Sequence, residues 1–164
     1  MALPRSFVLD RIGGHRRSVV EGGGPAAWVC AFLGPRDAAV DVLGEAGALA
    51  ARVQGGTMEV RDYHARLASG ERLRVLGAPP QFEVHSDRRA ETTVEVAPEP
   101  GGARTFSWRR DGGIDAVLRT FPATPAEPWT LEVAGPADPL RCLVALLAAE
   151  RLLREIEDAD QPAR

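Results

Sequence analysis

The sequence contains no lysine and no asparagine, and all 20 of its basic residues are arginine. No lysine is therefore present to close a phosphate-binding loop, and Gly22-Gly23-Gly24-Pro25 is followed by neither that residue nor a helix start. Cysteine is scarce. Cys30 and Cys142 sit in apolar surroundings, with no C-x-x-C and no Cys/His spacing, and so read as buried free thiols in a reducing cytoplasm. Aromatics make up only 5%, which leaves the core to Val, Leu and Ala. The unbroken apolar stretch Cys142 to Ala149 covers about 12 Å as a helix, far short of a bilayer. The opening MALPRSFVLDRIGG reaches Asp10 and Arg11 too soon for a signal-peptide core. A net charge of -3 argues against general nucleic-acid binding, which needs a basic footprint.

What remains is the composition of a folded domain, 45% hydrophobic and 26% charged over 164 residues, enough for one core. The arginine-only basic set, with abundant Ala, Gly and Pro, points to a GC-rich bacterial genome. From Phe7 to Val133 short alternating runs are broken by Gly, Pro and Asp, the pattern of half-buried antiparallel strands. Met58/Val60, Leu73/Val75, Phe82/Val84, Val94/Val96, Phe106/Trp108 and Leu131/Val133 each alternate with polar neighbours. Gly13-Gly14, Gly44 to Gly47, Gly55-Gly56, Gly101-Gly102 and Asp111-Gly112-Gly113 supply hairpin turns. Gly77 to Pro80, Pro98 to Gly102 and Pro122 to Pro128 read as loops too short to divide domains. Trp28 to Leu33 is apolar on both faces and reads as a strand covered on two sides.

The pattern changes at Asp138. Asp138 is a good N-cap, Pro139 suits a first helical position, and neither Gly nor Pro follows from Leu140 to Ile156. The first half of this helix is apolar all round, so it must be surrounded. The second half keeps only Leu152, Leu153 and Ile156 among charged residues. The fold expected is mostly β (α+β): an antiparallel barrel of about ten to twelve short strands enclosing a hydrophobic C-terminal helix. Residues 1–157 form this single domain, with the helix over 138–157 and a frayed polar tail over 158–164.

Three segments carry a family resemblance. They are the opening Phe7 to Gly13; the strand–turn–strand units Val40 to Val53 and Phe106 to Leu118; and the closing Trp129 to Val133 followed by Asp138 to Ala149. Together they resemble the tubby C-terminal-like superfamily, which includes the tubby, phospholipid scramblase and LURP-one-related families. The resemblance implies a β-barrel around a central helix and a role in lipid binding, proposed lipid scrambling or an unassigned process. The phosphoinositide-binding lysines of tubby have no counterpart here, and neither do a cysteine-rich palmitoylation segment or a scramblase-like calcium loop.

No catalytic constellation is legible. No G-x-S-x-G elbow precedes a helix, and the carboxylates Glu155, Glu157, Asp158 and Asp160 belong to a solvated helix end. His15, His64 and His85 lack a partner at metal-ligand spacing and read as exposed strand or turn residues, so no metal or other cofactor is expected. The polar feature that stands out is three arginine pairs near predicted turns, Arg16-Arg17, Arg88-Arg89 and Arg109-Arg110. If two pairs converge at one barrel end they form an anion site for a lipid head group or an acidic partner; the bland reading is scattered solvent-facing arginine. Arg141, a cation in a helix's first turn, is expected to emerge at the barrel mouth and pair with an acid such as Asp138 or Glu132, the alternative being a ligand contact.

The function expected is a non-enzymatic, cytoplasmic binding or scaffold module of the LURP-one-related or scramblase-like kind, contacting anionic lipid or a protein partner, without nucleic acid or a transmembrane segment. The alternative is a small β-barrel carrier or enzyme with an internal pocket, which requires the helix to pack outside. In a third reading the apolar face of Leu140 to Leu153 stays open to another chain.

Overall fold

A computed structural model describes residues 4–56, 61–110, 112–121 and 127–160. Twelve strands follow one another along the chain: β1 (Arg5–Gly13), β2 (Arg16–Glu21), β3 (Ala26–Leu33), β4 (Ala39–Leu43), β5 (Leu49–Gly55), β6 (Asp62–Leu67), β7 (Arg72–Ala78), β8 (Gln81–Ser86), β9 (Thr92–Pro98), β10 (Arg104–Arg110), β11 (Gly113–Thr120) and β12 (Trp129–Val133). Each pairs antiparallel with the next, and β1 closes the ring on β12, with Phe7 opposite Leu131. Closure removes the free sheet edges that would otherwise invite pairing with another chain.

The barrel forms because the alternation in the sequence matches the pleat. Phe7 and Leu9, Val40 and Val42, Leu73 and Val75, Phe82 and Val84, Phe106 and Trp108, and Leu131 and Val133 all turn inward and are buried. Their polar neighbours face out. Val94 is fully buried while Val96 only packs against the core. The segment Trp28–Leu33, expected to be covered on two sides, lies in β3 and is so only at Cys30, Ala31 and Phe32; Trp28 and Val29 are half-buried and Leu33 is exposed. Gly77 to Pro80 is tighter than a loop: β7 runs through Ala78 and β8 begins at Gln81. The expected Met58/Val60 strand and the turn residue Asp111 lie outside the described residues, as does most of the Pro122 to Pro128 loop.

A single α-helix, α1 (Pro139–Asp160), fills the ring. Asp138 caps it, its Oδ1 accepting the Leu140 N–H at 3.1 Å. Every residue from Arg141 to Leu153 is buried. The helix packs closest on β6 and β7, with β5, β10, β11 and β12 completing the wall. Full burial of Leu143, Leu146, Leu147 and Leu152 stabilises the fold by roughly 1.5–3 kcal/mol each. Ala145, Ala148 and Ala149 add little bulk, so strand side chains such as Phe82, Phe106 and Trp108 can meet the helix.

The helix runs to Asp160, three residues beyond the expected end at 157, because 158–160 continue the same unbroken Gly- and Pro-free segment. No helix among the described residues is long and apolar enough to cross a membrane. Since β12 runs toward Val133 and the chain then reverses, the helix N-terminus lies at the end of the barrel that carries the β6–β7, β8–β9 and β10–β11 turns. The helix C-terminus lies at the opposite end, with the β1–β2 turn and the segment following β3.

Candidate functional site

The mouth at the helix N-terminus is built around a buried charge. Arg141 projects from the first turn of α1, and its Nε donates to Glu71 Oε1 at 3.0 Å and Oε2 at 2.9 Å. Both side chains are nearly inaccessible, at 9% and 6%. The expected partners Asp138 and Glu132 are not used. Asp138 spends its carboxylate on the helix cap, and Glu132 projects outward from β12. Glu71 reaches Arg141 because the tight β6–β7 turn, closed by Leu67 N–H to Glu71 O at 3.0 Å with Gly70 at φ +96, delivers it to the barrel rim.

Around this pair the turns are tied to the helix in series. Ser86 Oγ donates to Glu71 Oε2 at 2.8 Å and accepts the backbone N–H of Arg88 at 3.1 Å and of Arg89 at 3.2 Å, which sets the β8–β9 turn. The Arg141 guanidinium lies 4.7 Å from the centroid of the Trp108 ring, whose Nε1 donates to Thr92 Oγ1 at 2.6 Å. A guanidinium stacked on an indole and held by a carboxylate is fixed in place.

Arg89, Arg109 and Arg110 surround the same spot. With Arg141, Glu91 and Asp115 they line a depression of about 490 Å³ at the mouth. The bulge between Trp108 and Arg109 puts Arg109 opposite Ile114 and Arg110 opposite Gly113, so both cations reach the rim. Arg109 pairs with Glu95 at 2.7 Å and Arg110 with Asp115 at 3.1 Å; Arg89 stands 4.0 Å from Glu71. Arg88 turns away from the depression and donates to Ser69 O at 3.1 Å. The mouth is thus rich in donors and nearly balanced in charge. Its exposed ion pairs are each worth at most about 1 kcal/mol, so an incoming anion can exchange with them.

Arg16 and Arg17 do not join the others. They begin β2 at the opposite end, roughly 20 Å away along the strands. Arg16 is exposed. Arg17 points inward, donates to Leu9 O at 3.0 Å and lies 4.2 Å from the Trp129 ring centroid. Burial, then the neighbouring Arg11 and Arg151 cations, push its pKa below the ordinary arginine value.

That end holds groups the sequence did not single out. Glu150 and Arg151 stand among the charged residues of the helix's second half, and both are buried and paired at 2.5 Å. Arg151 also donates to Asp37 O at 3.0 Å and covers the Phe32 ring. The signal was present as two opposite charges set directly against Leu152 and Leu153. On the outer wall, Asp62 is buried between His64 Nε2 at 3.0 Å and Arg74 Nε at 2.6 Å.

The histidines are exposed or half-buried in turns and on outer faces. His85 does meet carboxylates: Glu91 at 2.9 Å and Glu83 at 3.8 Å, a grouping with ligand atoms within 4.8 Å of one another. The β8–β9 turn creates it, since Glu91 is six residues away in sequence. Cys30 and Cys142 are free and buried, and burial pushes each thiol pKa up to about 12, so neither is poised as a nucleophile.

The fold and its end network define a helix-filled, twelve-stranded antiparallel β-barrel with an arginine-lined mouth. No family model matches the chain, and neither a curated protein nor a solved structure is similar to it.

Proposed function

We propose that this chain is a non-enzymatic binding module of the tubby-like, LURP-one-related or scramblase-like kind, acting in the cytoplasm, and that it holds the head group of an anionic lipid at the helix N-terminal mouth. The observation that carries this reading is the convergence of Arg89, Arg109 and Arg110 on one depression above the fixed Arg141. A guanidinium has five N–H donors, and a single carboxylate leaves several of them free for a phosphate. The alternative of an internal carrier is disfavoured by α1, whose buried residues Arg141 to Leu153 occupy the space such a ligand would need. The third reading, an open helix face, is disfavoured by the same burial.

Co-sedimentation with phosphatidylserine and phosphatidylcholine vesicles tests the proposal. Binding should require phosphatidylserine, fall with added salt, and drop at least severalfold in Arg109→Ala/Arg110→Ala while Arg16→Ala binds as before. Equal binding to both vesicles, or unchanged binding by the double variant, would rule the site out.

A further inference from the structure

A second basic surface lies on the outer wall at the same end of the barrel, lined by residues other than those of the mouth. Outward positions of β5, β6 and β7 bring Arg52, Arg66 and Arg72 into one row, because Arg52 is in register with Arg66 and Arg66 with Arg72. Adjacent strands are about 4.8 Å apart, so the three side chains rise together over roughly 10 Å. Like charges directly opposed across a sheet are destabilising. Arg52 is relieved by Asp41, through bonds of 2.7 and 3.1 Å. Arg66 and Arg72 make no ion pair among the described residues; Asp87 takes the Arg72 backbone N–H. Arg88, anchored on Ser69 O, brings a further guanidinium to the β6–β7 turn that joins Arg66 to Arg72. A local cost retained on an otherwise consistent barrel marks a surface kept for something other than stability.

The floor beside the row has its own cause. Outward positions 50 and 68 carry alanine, and the two residues are joined by Ala68 N–H to Ala50 O at 2.8 Å. Short side chains flanked by long arginines leave a groove of about 460 Å³, with Leu49, 46% exposed, at its end. Among the described residues the other large exposed apolar side chains, Val8, Ile12, Leu33 and Ile114, lie on β1, β3 and β11, away from the groove.

We propose that this groove binds an extended acidic segment of a partner protein, its carboxylates bridging Arg66 and Arg72 and an apolar side chain resting on Ala50, Ala68 and Leu49. Side chains on one face of an extended peptide repeat every 6.6 Å or so, between one and two strand spacings of the row, and each carboxylate matches the guanidinium fork. This site is independent of the lipid reading at the mouth and uses different residues.

The test is fluorescence anisotropy with a short glutamate-rich peptide carrying a central leucine, and a lysine-rich peptide of equal length as control. Arg66→Glu and Arg72→Glu should each weaken binding roughly fivefold to tenfold. Ala68→Trp, which fills the floor without altering charge, should weaken it comparably, and Arg16→Glu at the far end should leave it unchanged. Circular dichroism melts of each variant confirm folding. The proposal is overturned if Arg16→Glu weakens binding as much as Arg66→Glu, if Ala68→Trp has no effect, or if only phosphatidylserine vesicles and no acidic peptide respond to the Arg66 and Arg72 variants.

Discussion

Removing either member of the Glu71–Arg141 pair should do more damage than any other single polar substitution at the mouth. In Glu71→Ala the Arg141 guanidinium keeps only its contact with the Trp108 ring, and Ser86 loses the acceptor for its hydroxyl. An arginine left uncompensated at this depth costs about 3–5 kcal/mol. Arg141→Met leaves Glu71 as a buried carboxylate with Ser86 as donor and should cost a similar amount. The double variant Glu71→Leu/Arg141→Met replaces both charges with apolar bulk and should lie within about 1–2 kcal/mol of the parent, since an apolar pair of similar volume matches a buried ion pair. The coupling between the two sites should then be at least about 4 kcal/mol, above the roughly 0.5–3 kcal/mol usual for residues in contact, because each single variant leaves a buried charge unpaired. Urea unfolding followed by circular dichroism gives all four values. Single-variant losses below about 1 kcal/mol, or additive losses in the double variant, would show the pair to be solvated and the helix start to be held by something else.

Three further results are expected. Leu146→Ala, at a fully buried position on the central helix, should cost about 3–4 kcal/mol in urea unfolding, whereas a helix packed outside the barrel would show about 1. Asp138→Ala should cost about 1 kcal/mol through loss of the cap on Leu140, measured the same way. Stability should fall in alkali: the unfolded thiols lose protons near pH 9.0 while the folded ones hold theirs to about 12. Between those values the unfolded state binds fewer protons, so each thiol removes stability at up to about 1.4 kcal/mol per pH unit. Tyr63, pushed from 10.0 up to about 12 mainly by burial, adds to the loss. Denaturant titrations at stepped pH should show this slope, and Cys30→Ala should make it shallower; a flat profile up to pH 11 would contradict the burial of these groups.

The fold was legible because each signal that specifies it is local. Alternation at Leu73/Val75 or Phe106/Trp108 follows from the pleat, and an all-apolar Cys142 to Ala149 can only be enclosed. The partner of Arg141 was not legible, since it lies 70 residues away and is brought close by barrel closure. Sequence neighbours such as Asp138 attract attention, but a capping carboxylate is already committed. The burial of Glu150 and Arg151 was not legible for a related reason: a pair of adjacent opposite charges can be buried when each supplies the other's partner. The arginine pairs were read in part. Dipeptide spacing located turns, but it could not show that Arg88 would face Ser69 or that Arg17 would turn inward, because a strand's two faces alternate at every residue.

The most direct test of the central claim, that α1 fills the barrel, is thiol labelling of Cys142 in a Cys30→Ala background across a urea series. Cys142 is 3% exposed on the first turns of the helix. If α1 is the core, labelling should be negligible in the native protein, and its opening free energy should equal that of global unfolding and fall with the same urea dependence. Rapid labelling without urea, or an opening free energy well below the global value and insensitive to urea, would contradict a helix enclosed by twelve strands.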